Sequence, residues 1–357
     1  MKYNYLLYPF AFLYASGICI RNFLYDLSIL KSVSFSKPIT IGIGNITVGG
    51  TGKTPMSEYL IELLREEFNV GFLSRGYGRH TRGFRIVKPY SEAYEVGDEP
   101  LQIAKKYPDI FIAVSENRVE GIKKLIAFRE LDVVVLDDVF QHRRINPTVN
   151  ILLTSYNRLF FKDKFLPVGR LRDCKKQYKR ADIIIITKSP SNLTKTQAQA
   201  IIDELKPYDY QYVHFTTIAY EKPQNFEGRL IDIKDLADYH TLLITGIADS
   251  HNLVDFLYKK TNLVHHFKFA DHHFYNENDI QNILEVYENI KAEKKIILTT
   301  EKDFVKLNSL KISYKLKQNI YFLPIKVKFL FNLHTIFNRQ IKSYVRKNST
   351  NSFLFTG

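Results

Sequence analysis

Short apolar runs recur along the first part of the chain, and segments of helical or loop character separate most of them. Continuous apolar runs are typical of strands that are covered on both faces, and their alternation with helices predicts a parallel α/β domain. The runs are "KPITIGIGNI" (37–46), "VGFLS" (70–74), "IFIAVS" (110–115), "LDVVVLDD" (131–138), "NILLTS" (150–155) and "ADIIIIT" (181–187).

The α/β pattern is interrupted near residues 205–237, where the chain becomes aromatic and rich in turn residues, and it then resumes. We therefore predict a parallel-sheet domain and a second, smaller α/β lobe that are joined by β-strand linkers, and we expect the linkers to pair with each other. The tail is polar and basic, and we expect its "RKNSTNS" stretch to be disordered. The predicted segments are 31–210 (first domain), 211–237 (linker), 238–318 (second lobe), 319–330 (return strand) and 331–357 (tail).

Residues 1–30 have a different character. Tyr3 to Ile20 carry no charge, lie between Lys2 and Arg21, and include six aromatic side chains. Dense aromatic residues are typical of the water–lipid interface, so we predict a membrane-associated aromatic helix over 1–30. A buried core helix, a membrane span and a signal peptide are the alternatives.

The stretch "GNITVGGTGKTP" (44–55) lies between a predicted strand and an amphipathic helix, as a phosphate-binding loop does. The usual first glycine is replaced by Thr47, but three glycines remain and allow the backbone N–H groups to face phosphate oxygens. Lys53 is then placed to reach the β- and γ-phosphates, and Thr54 to ligate Mg²⁺. The predicted nucleotide-binding residues are Thr47, Val48, Gly49, Gly50, Thr51, Gly52, Lys53 and Thr54.

Two aspartates follow the apolar run at 133–136. Asp137 and Asp138 thus end a predicted strand, where a carboxylate can hold the Mg²⁺ of a bound nucleotide. One of the pair alternatively serves as a helix N-cap. The guanine-reading pattern N/T-K-x-D is absent from the sequence, since "ITKSPS" (186–191) has Pro190 at the aspartate position. We therefore predict ATP and Mg²⁺ as cofactors.

Other charged residues lie in loops. Asp98, in "YEVGDEP" (94–100), is a candidate base that accepts a hydroxyl proton, with a solvated turn as the alternative. Arginine forks suit phosphate oxygens, although any one arginine alone is compatible with a surface role. The candidate arginines are Arg75, Arg79, Arg118, Arg143, Arg144, Arg170 and Arg172.

The net charge and the cysteine content are compatible with several classes of protein. The formal net charge of +14 fits an anionic membrane, a phosphorylated substrate, nucleic acid, or simply a basic proteome. Cys19 and Cys174 form no C-x-x-C pair, so neither a disulfide framework nor a zinc site is predicted, and a reducing compartment is expected. Two rival classes are a P-loop ATPase switch that needs no acceptor and, with weaker support, a nucleic-acid-binding protein.

Together these motifs resemble the tetraacyldisaccharide 4′-kinase family over roughly residues 5–330. The family also lacks the first glycine of the loop, which accounts for Thr47. The resemblance is carried, in family order, by "GIGNITVGGTGKTP", "LSRGYGR", "GDEP", "SENRVEG", "LDDVFQHRR", "LPVGRLRD", "ITGIA", "FADHHFY" and "LTTEKDFVKL".

The resemblance implies a P-loop NTPase-like kinase that phosphorylates the 4′-hydroxyl of the lipid A disaccharide precursor. It implies Asp98 as the base and a supporting histidine, for which we select His272, with His273 as the alternative. Loop residues Lys53 and Thr54 hold phosphate and Mg²⁺, and Asp137 and Asp138 complete the metal site. Arg118 and Arg170 are the implied catalytic arginines.

The resemblance also implies a partner and a location. The expected partners are the lipid A precursor and the anionic surface of the bacterial inner membrane, on its cytoplasmic face, with the chain peripheral or monotopic. Neither nucleic acid nor an obligate protein partner is predicted. Two departures from the family pattern are Val139, where glycine is usual after the aspartate pair, and Ser250, where a proline is usual nearby.

Overall fold

The structure is a computed structural model that describes residues 4–271, 273–308, 310 and 312–350. In chain order, its strands are β1 (Ile39–Gly44), β2 (Val70–Ser74), β3 (Arg85–Val87), β4 (Phe111–Val114), β5 (Val133–Leu136), β6 (Val149–Ser155), β7 (Ile183–Thr187), β8 (Tyr212–Tyr220), β9 (Gln224–Asn225), β10 (His240–Thr245), β11 (Asn262–Lys268), β12 (Lys295–Thr300), β13 (Ile320–Leu323) and β14 (Ile325–Phe329).

The α-helices follow the same chain order, and short 3₁₀ turns lie between some of them. They are α1 (Tyr8–Asp26), α2 (Lys53–Leu64), α3 (Ala93–Val96), α4 (Asp98–Lys106), α5 (Arg118–Phe128), α6 (Lys195–Leu205), α7 (His251–Tyr258), α8 (Glu277–Asn289), α9 (Glu301–Asn308), α10 (Tyr314–Lys317) and α11 (His334–Thr350).

Within the described residues, the strands form one sheet of nine strands and one of five. The first has the order β14-β8-β7-β6-β1-β5-β2-β4-β3, and the second β11-β10-β12-β13-β9. In the first sheet only the edge strands β3 and β14 run antiparallel to their neighbours, and in the second only β9 does. The predicted parallel α/β domain and second α/β lobe are both present.

Strand β5 shows why its sequence is apolar without alternation. Val133 and Val135 belong to the core on one face of the sheet, and Val134 and Leu136 to the core on the other. All four side chains are fully buried. A central strand covered on both faces requires a continuous apolar run, and this run carries the chain directly to the aspartate pair.

The second lobe is inserted between two neighbouring strands of the first sheet. Strands β8 and β14 pair antiparallel, with Ile325 opposite Tyr220, which confirms the expected pairing of the two linkers. The return segment is divided, however, because β13 joins the second sheet and β14 the first, with Pro324 between them.

The C-terminal segment differs from the prediction. Residues 334–350 form α11, so the expected disorder of "RKNSTNS" is wrong as far as residue 350. Phe337, Ile341 and Val345 are fully buried against the core of the first lobe. These apolar residues lie on one face of a helix, which docks although most of its other positions are polar or basic.

Helix α1 is held to the first lobe by polar contacts. Asn22 donates to Asp173 Oδ1 at 2.7 Å, and Asp26 pairs with Arg143 at 2.8 Å. Cys19 and Cys174 are joined by a disulfide, with their Cα atoms 6.3 Å apart. The local spacing of the cysteines predicted no such bond, because the two residues meet only when α1 packs on the segment near residue 174.

Candidate active site

The loop after β1 is fixed from two sides. Asn45 donates from Nδ2 to Thr51 Oγ1 at 2.9 Å, and Thr187, at the end of β7, donates from Oγ1 to the Thr51 carbonyl at 2.8 Å. Gly52 has φ of 84°, a conformation that disfavours any side chain, and it leads directly into α2. The loop therefore arrives at the N-terminus of a helix, where backbone N–H groups are available to an anion.

Thr47 occupies an extended stretch and not a left-handed turn. It forms an antiparallel bridge with Leu171, and the Val48 N–H donates to the Arg170 carbonyl at 2.8 Å. Thr47 does not occur among the residues with positive φ in the described chain. A glycine is therefore not required at this position, because the start of the loop pairs with the 163–172 segment.

Asp138 meets two cations. Lys53 Nζ lies 3.8 Å from Asp138 Oδ1, and Arg172 contacts both carboxylate oxygens. Burial favours the neutral acid, but the charges of Lys53 and Arg172 outweigh it and lower the pKa of Asp138 to about 2. Asp138 is thus ionised at every physiological pH.

The pKa of Asp137 is shifted in the opposite direction. Its side chain is only 2% exposed, and Ser74 Oγ donates to Oδ2 at 3.3 Å. Burial, together with the negative charge of Glu99, raises the pKa of Asp137 to about 7. Within the described residues, Oδ1 of Asp137 is buried without a hydrogen-bond partner. An unsatisfied buried carboxylate oxygen fits a cation ligand, and Mg²⁺ prefers such oxygens.

Thr54 stands in the first turn of α2, next to Lys53. No cluster of three or more His, Cys, Asp or Glu side chains suited to a metal was found in the described part of the chain. In nucleotide sites Mg²⁺ is commonly bound by one or two carboxylates together with phosphate oxygens.

Asp98 is the first residue of α4 and is 6% exposed. Gly97, directly before it, has φ of 93°, and a side chain there would lie 2.9 Å from the Tyr77 carbonyl oxygen. The turn therefore requires glycine and aims Asp98 into the interior. Lys306, from α9 of the second lobe, lies 2.9 Å from Asp98 Oδ2. The negative charge of Glu99, the next residue of α4, contributes to the raised pKa of Asp137.

The sequence profile described as "LpxK: Tetraacyldisaccharide-1-P 4'-kinase" matches residues 3–345. The chain belongs to this family. A relative named "Tetraacyldisaccharide 4'-kinase" in Phocaeicola vulgatus is 41% identical over 99% of this chain and 98% of its own length. A relative of the same name in Flavobacterium psychrophilum is 41% identical over 97% of this chain and 98% of its own length.

A solved structure shares the fold. It is the "apo" form of LpxK from Aquifex aeolicus in complex with ATP, with a TM-score of 0.73 and 28% sequence identity, covering 97% of this chain and 99% of that one. The expected fold and family are therefore confirmed, and the phosphate loop and aspartate pair of this LpxK family member can be interpreted as parts of a P-loop kinase.

Of the two candidate histidines, only His273 lies within the described residues. His272 lies outside the described residues. In the neighbouring His273, Nε2 contacts Asp279 Oδ2 at 2.8 Å, and the ring stacks on Phe269. Its imidazole is thus engaged with α8, while its backbone carbonyl accepts from Lys306 at 3.1 Å.

The two predicted arginines of this family member lie in different surroundings. Arg118 is 2% exposed and donates to the backbone carbonyls of Ser115 and Asp137, each at 3.0 Å. Burial lowers the pKa of Arg118 to about 10, so the guanidinium keeps its charge at neutral pH. Its hydrogen bond to the Asp137 carbonyl holds the backbone of the aspartate pair. Arg170 lies beside Gly49, on the side of the loop that faces solvent.

A cleft of about 890 Å³ opens beside the loop, and Arg170 lines it. The second lobe approaches the same region, because Ala248 lies near Gly50, as does Lys188 of the first lobe. The cleft is large enough for part of a nucleotide. It is lined by Tyr156, Asn157, Arg158, Leu159, Lys162, Asp163, Pro167, Val168, Gly169, Arg170 and Ile201.

Three site residues were not predicted in their observed roles. Asn45 bridges Thr51 and Arg172, Arg172 pairs with Asp138, and Lys306 pairs with Asp98. Arg172 was a candidate within "PVGRLRD", but nothing in the spacing connected it with Asp138. Lys306 lies far from Asp98 in sequence, so only the docking of the two lobes reveals the pair.

Val139, a departure from the family pattern, is accommodated in the core. Its side chain is 3% exposed and packs on Gly42 of β1. The positive φ of this turn is at Asp138, with 47°, so position 139 itself does not require glycine. Ser250, the second departure, is buried at the N-terminus of α7.

Proposed function

We propose that this protein transfers the γ-phosphate of ATP to the 4′-hydroxyl of a tetraacyldisaccharide 1-phosphate, a lipid A precursor. The proposal rests chiefly on one juxtaposition. The buried carboxylate of Asp98 begins α4, the charge of the adjacent Glu99 acts on Asp137, and the Asp138 carboxylate lies 3.8 Å from the Lys53 ammonium. This is the arrangement that in-line phosphoryl transfer to an alcohol requires.

The proposed step exchanges one phosphorus–oxygen bond for another. The sugar 4′-oxygen forms a bond to the γ-phosphorus while the bond between that phosphorus and the β,γ-bridging oxygen breaks. ADP is the leaving group, and the hydroxyl proton passes to the Asp98 carboxylate. The Lys53 ammonium and the loop N–H groups stabilise the charge on the phosphate oxygens.

Asp137, Asp138 and Thr54 are the proposed holders of Mg²⁺. When bound, the ion neutralises charge on the β- and γ-phosphates. The buried, unbonded Oδ1 of Asp137 supports this role, and the fork from Arg172 orients Asp138. Arg118 positions the pair through the Asp137 carbonyl, and Arg170 is proposed to contact nucleotide phosphate from the solvent side.

The surface of α1 supports a membrane location. Its apolar side chains remain exposed, including Phe12 at 72% and Leu13 at 67%. No helix in the described residues is long and apolar enough to span a bilayer. We infer that α1 lies in the interface of an anionic membrane, with its polar contacts toward the protein and its apolar side chains in the lipid. Because the proposed reaction needs ATP, we infer that this membrane surface is the cytoplasmic face of the bacterial inner membrane.

Ala11 and Asn22 of α1 are buried against the protein, whereas many of its large apolar side chains are exposed, as are several in the segment after the helix. A single lipid-facing surface would bring the acyl chains of the substrate and α1 into the same layer. The large apolar side chains proposed for this surface are Leu6, Phe10, Phe12, Leu13, Ile20, Phe23, Leu27, Ile29 and Leu30.

The experiment that tests the function uses labelled ATP and the tetraacyl disaccharide 1-phosphate in detergent micelles, with and without Mg²⁺. We expect a labelled bisphosphorylated lipid only with Mg²⁺, and its loss in Asp98→Ala. Release of free phosphate alone, whatever acceptor is supplied, would instead identify an ATPase and refute the lipid kinase.

A further inference from the structure

Helices α4 and α9 meet across the two lobes with complementary charges at both ends. Asp98 at the start of α4 pairs with Lys306 near the end of α9 at 2.9 Å. Lys106 at the end of α4 pairs with Glu301 at the start of α9 at 3.1 Å. The two helices therefore run antiparallel, and each lobe contributes one cation and one carboxylate.

We propose that Lys306 is a positioning residue for the transfer reaction, whose ammonium keeps the Asp98 carboxylate ionised and aimed. The inference rests on the function proposed above, in which Asp98 accepts the hydroxyl proton. It adds that the base is complete only when the second lobe supplies Lys306.

The Lys306 ammonium is fixed by more than its ion pair. It donates to the His273 carbonyl oxygen at 3.1 Å and lies 5.9 Å from the centre of the Phe274 ring. The side chains of Lys306 and Asp98 are 5% and 7% exposed. A lysine that only decorates a surface would remain hydrated, whereas this one is buried and held by the backbone of the loop before α8.

Electrostatics explain why a base would need such a partner. Burial disfavours a carboxylate, and an ammonium within hydrogen-bond distance restores the ionised form by about 1–3 pKa units. The other charged or titratable groups around Asp98 in the described residues include both signs. They are Glu99 on α4, Lys302 and Asp303 on α9, His273 and Tyr275 in the loop before α8, and Asp279 on α8.

The far end of the same helix pair provides a matched control. Lys106 contacts Glu58 of α2 at 2.7 Å as well as Glu301, so it ties α9 to the helix that follows the phosphate loop. Removing the Lys106 charge weakens the docking of α9 on α4 without touching Asp98. A purely structural Lys306 would behave in the same way.

The test compares the pH dependence of kcat/KM for the wild type, Lys306→Met, Lys306→Arg and Lys106→Met between about pH 5 and 9. In Lys306→Met, we expect the acidic limb of the profile to move upward by about 1–3 pH units. In Lys106→Met, the rate falls but the limb stays in place. Lys306→Arg restores the position of the limb. Parallel profiles for Lys306→Met and Lys106→Met would overturn the proposal.

A second measurement does not need turnover. The ¹³C signal of the Asp98 carboxyl, assigned by its loss in Asp98→Asn, is titrated in the wild type and in Lys306→Met. We expect the same upward shift of about 1–3 units. No shift would refute the pairing even if transfer occurs, whereas a shift in a protein that phosphorylates no acceptor would uphold the pairing and reject the proposed function.

Discussion

The Arg172 guanidinium contacts both carboxylate oxygens of Asp138, and its Nη1 lies 3.2 Å from Oδ2. This fork keeps Asp138 ionised, while Asp137, one residue earlier, has its pKa raised by burial to about 7. The pKa values of two adjacent aspartates are thus shifted in opposite directions, because the Asp138 carboxylate binds a guanidinium whereas burial dominates at Asp137. A divalent cation arriving with the nucleotide would supply the missing counter-charge to Asp137.

Arg172→Ala is expected to lower the rate of phosphate transfer by about 10- to 100-fold, because a charge-assisted hydrogen bond of roughly 1.5–3 kcal/mol is lost. The orientation of Asp138 is lost with it, so the Mg²⁺ concentration needed for half-maximal rate rises. Steady-state kinetics across a Mg²⁺ series measures both. Arg172→Lys keeps the charge without the fork and should lie between the two. A wild-type Mg²⁺ response in Arg172→Ala would contradict this role.

Asp98→Asn is expected to reduce kcat by about 10²–10⁴-fold, since the amide cannot accept the hydroxyl proton. Nucleotide binding should remain close to that of the wild type, because Lys53 and the loop are unchanged. Calorimetric titration with a non-hydrolysable ATP analogue separates the two effects. Lys53→Ala serves as the contrasting variant, in which both binding and rate decline. Normal turnover in Asp98→Asn would exclude it as the base.

Asp137 makes the stability of the protein depend on pH. Its folded pKa of about 7 lies above the ordinary 3.8, so between these values the folded chain binds more protons than the unfolded one. The contribution of Asp137 to the free energy of unfolding therefore falls as pH rises from about 4 to 7. Each pKa unit of the shift corresponds to about 1.4 kcal/mol of unfolding free energy. The Asp137→Asn variant does not undergo this loss, so we expect it to be more stable than the wild type at pH 8 but not at pH 4.

Urea unfolding without Mg²⁺, at pH 5 and pH 8, measures this difference. Asp109→Asn is the control, because Asp109 is an exposed aspartate whose side chain is 56% accessible. Its effect should be the same at both pH values. An Asp137→Asn effect that does not change with pH would mean that the Asp137 carboxyl is already ionised in the folded protein at pH 5.

Phe12→Asp in α1 is expected to weaken binding to vesicles of anionic lipid by about tenfold or more, since a charge replaces a side chain proposed to enter the acyl layer. Cosedimentation with the vesicles gives the bound fraction. Tyr258→Asp is the matched control, because Tyr258 is an aromatic residue of the second lobe that is 67% exposed. Equal losses in the two variants would show that α1 is not the lipid-facing element.

The bond between Cys19 and Cys174 is tested by mass. Under non-reducing conditions, the unfolded protein should resist alkylation at both residues, and reduction should add two alkyl groups. Cys174→Ser is the control, since it leaves Cys19 as the only cysteine and open to a single modification. Complete alkylation before reduction would show that the thiols are free.

The main architecture could be predicted because strands that are buried on both faces are apolar at nearly every position. Val133 to Leu136 are apolar on both faces, and this alone predicts a central strand that ends at the aspartates. The phosphate loop was predictable despite Thr47, because its glycines, Lys53 and the following helix are local in sequence. Asp98 was a candidate because its motif, "GDEP", is also local in sequence.

Contacts between distant segments could not be predicted. Lys306 reaches Asp98, and Arg172 reaches Asp138, only through the packing of whole elements. The polar composition after residue 331 concealed α11, because one buried stripe that includes Phe337 and Ile341 is enough to dock a helix. The periodicity of apolar residues shows which face of a helix is buried, but it does not show which other element that face packs against.

The position of β14 and α11 has a consequence for synthesis. The phosphate-loop lobe gains its last strand and a covering helix from residues 325–350, after the entire second lobe has left the ribosome. At about 5–20 residues per second, the apolar surface that awaits Phe337 and Ile341 stays uncovered for roughly 5–20 s while the intervening segment is translated. The nascent first lobe is therefore a candidate client for chaperones during that interval, and a ribosome stalled within the second lobe would present it incomplete.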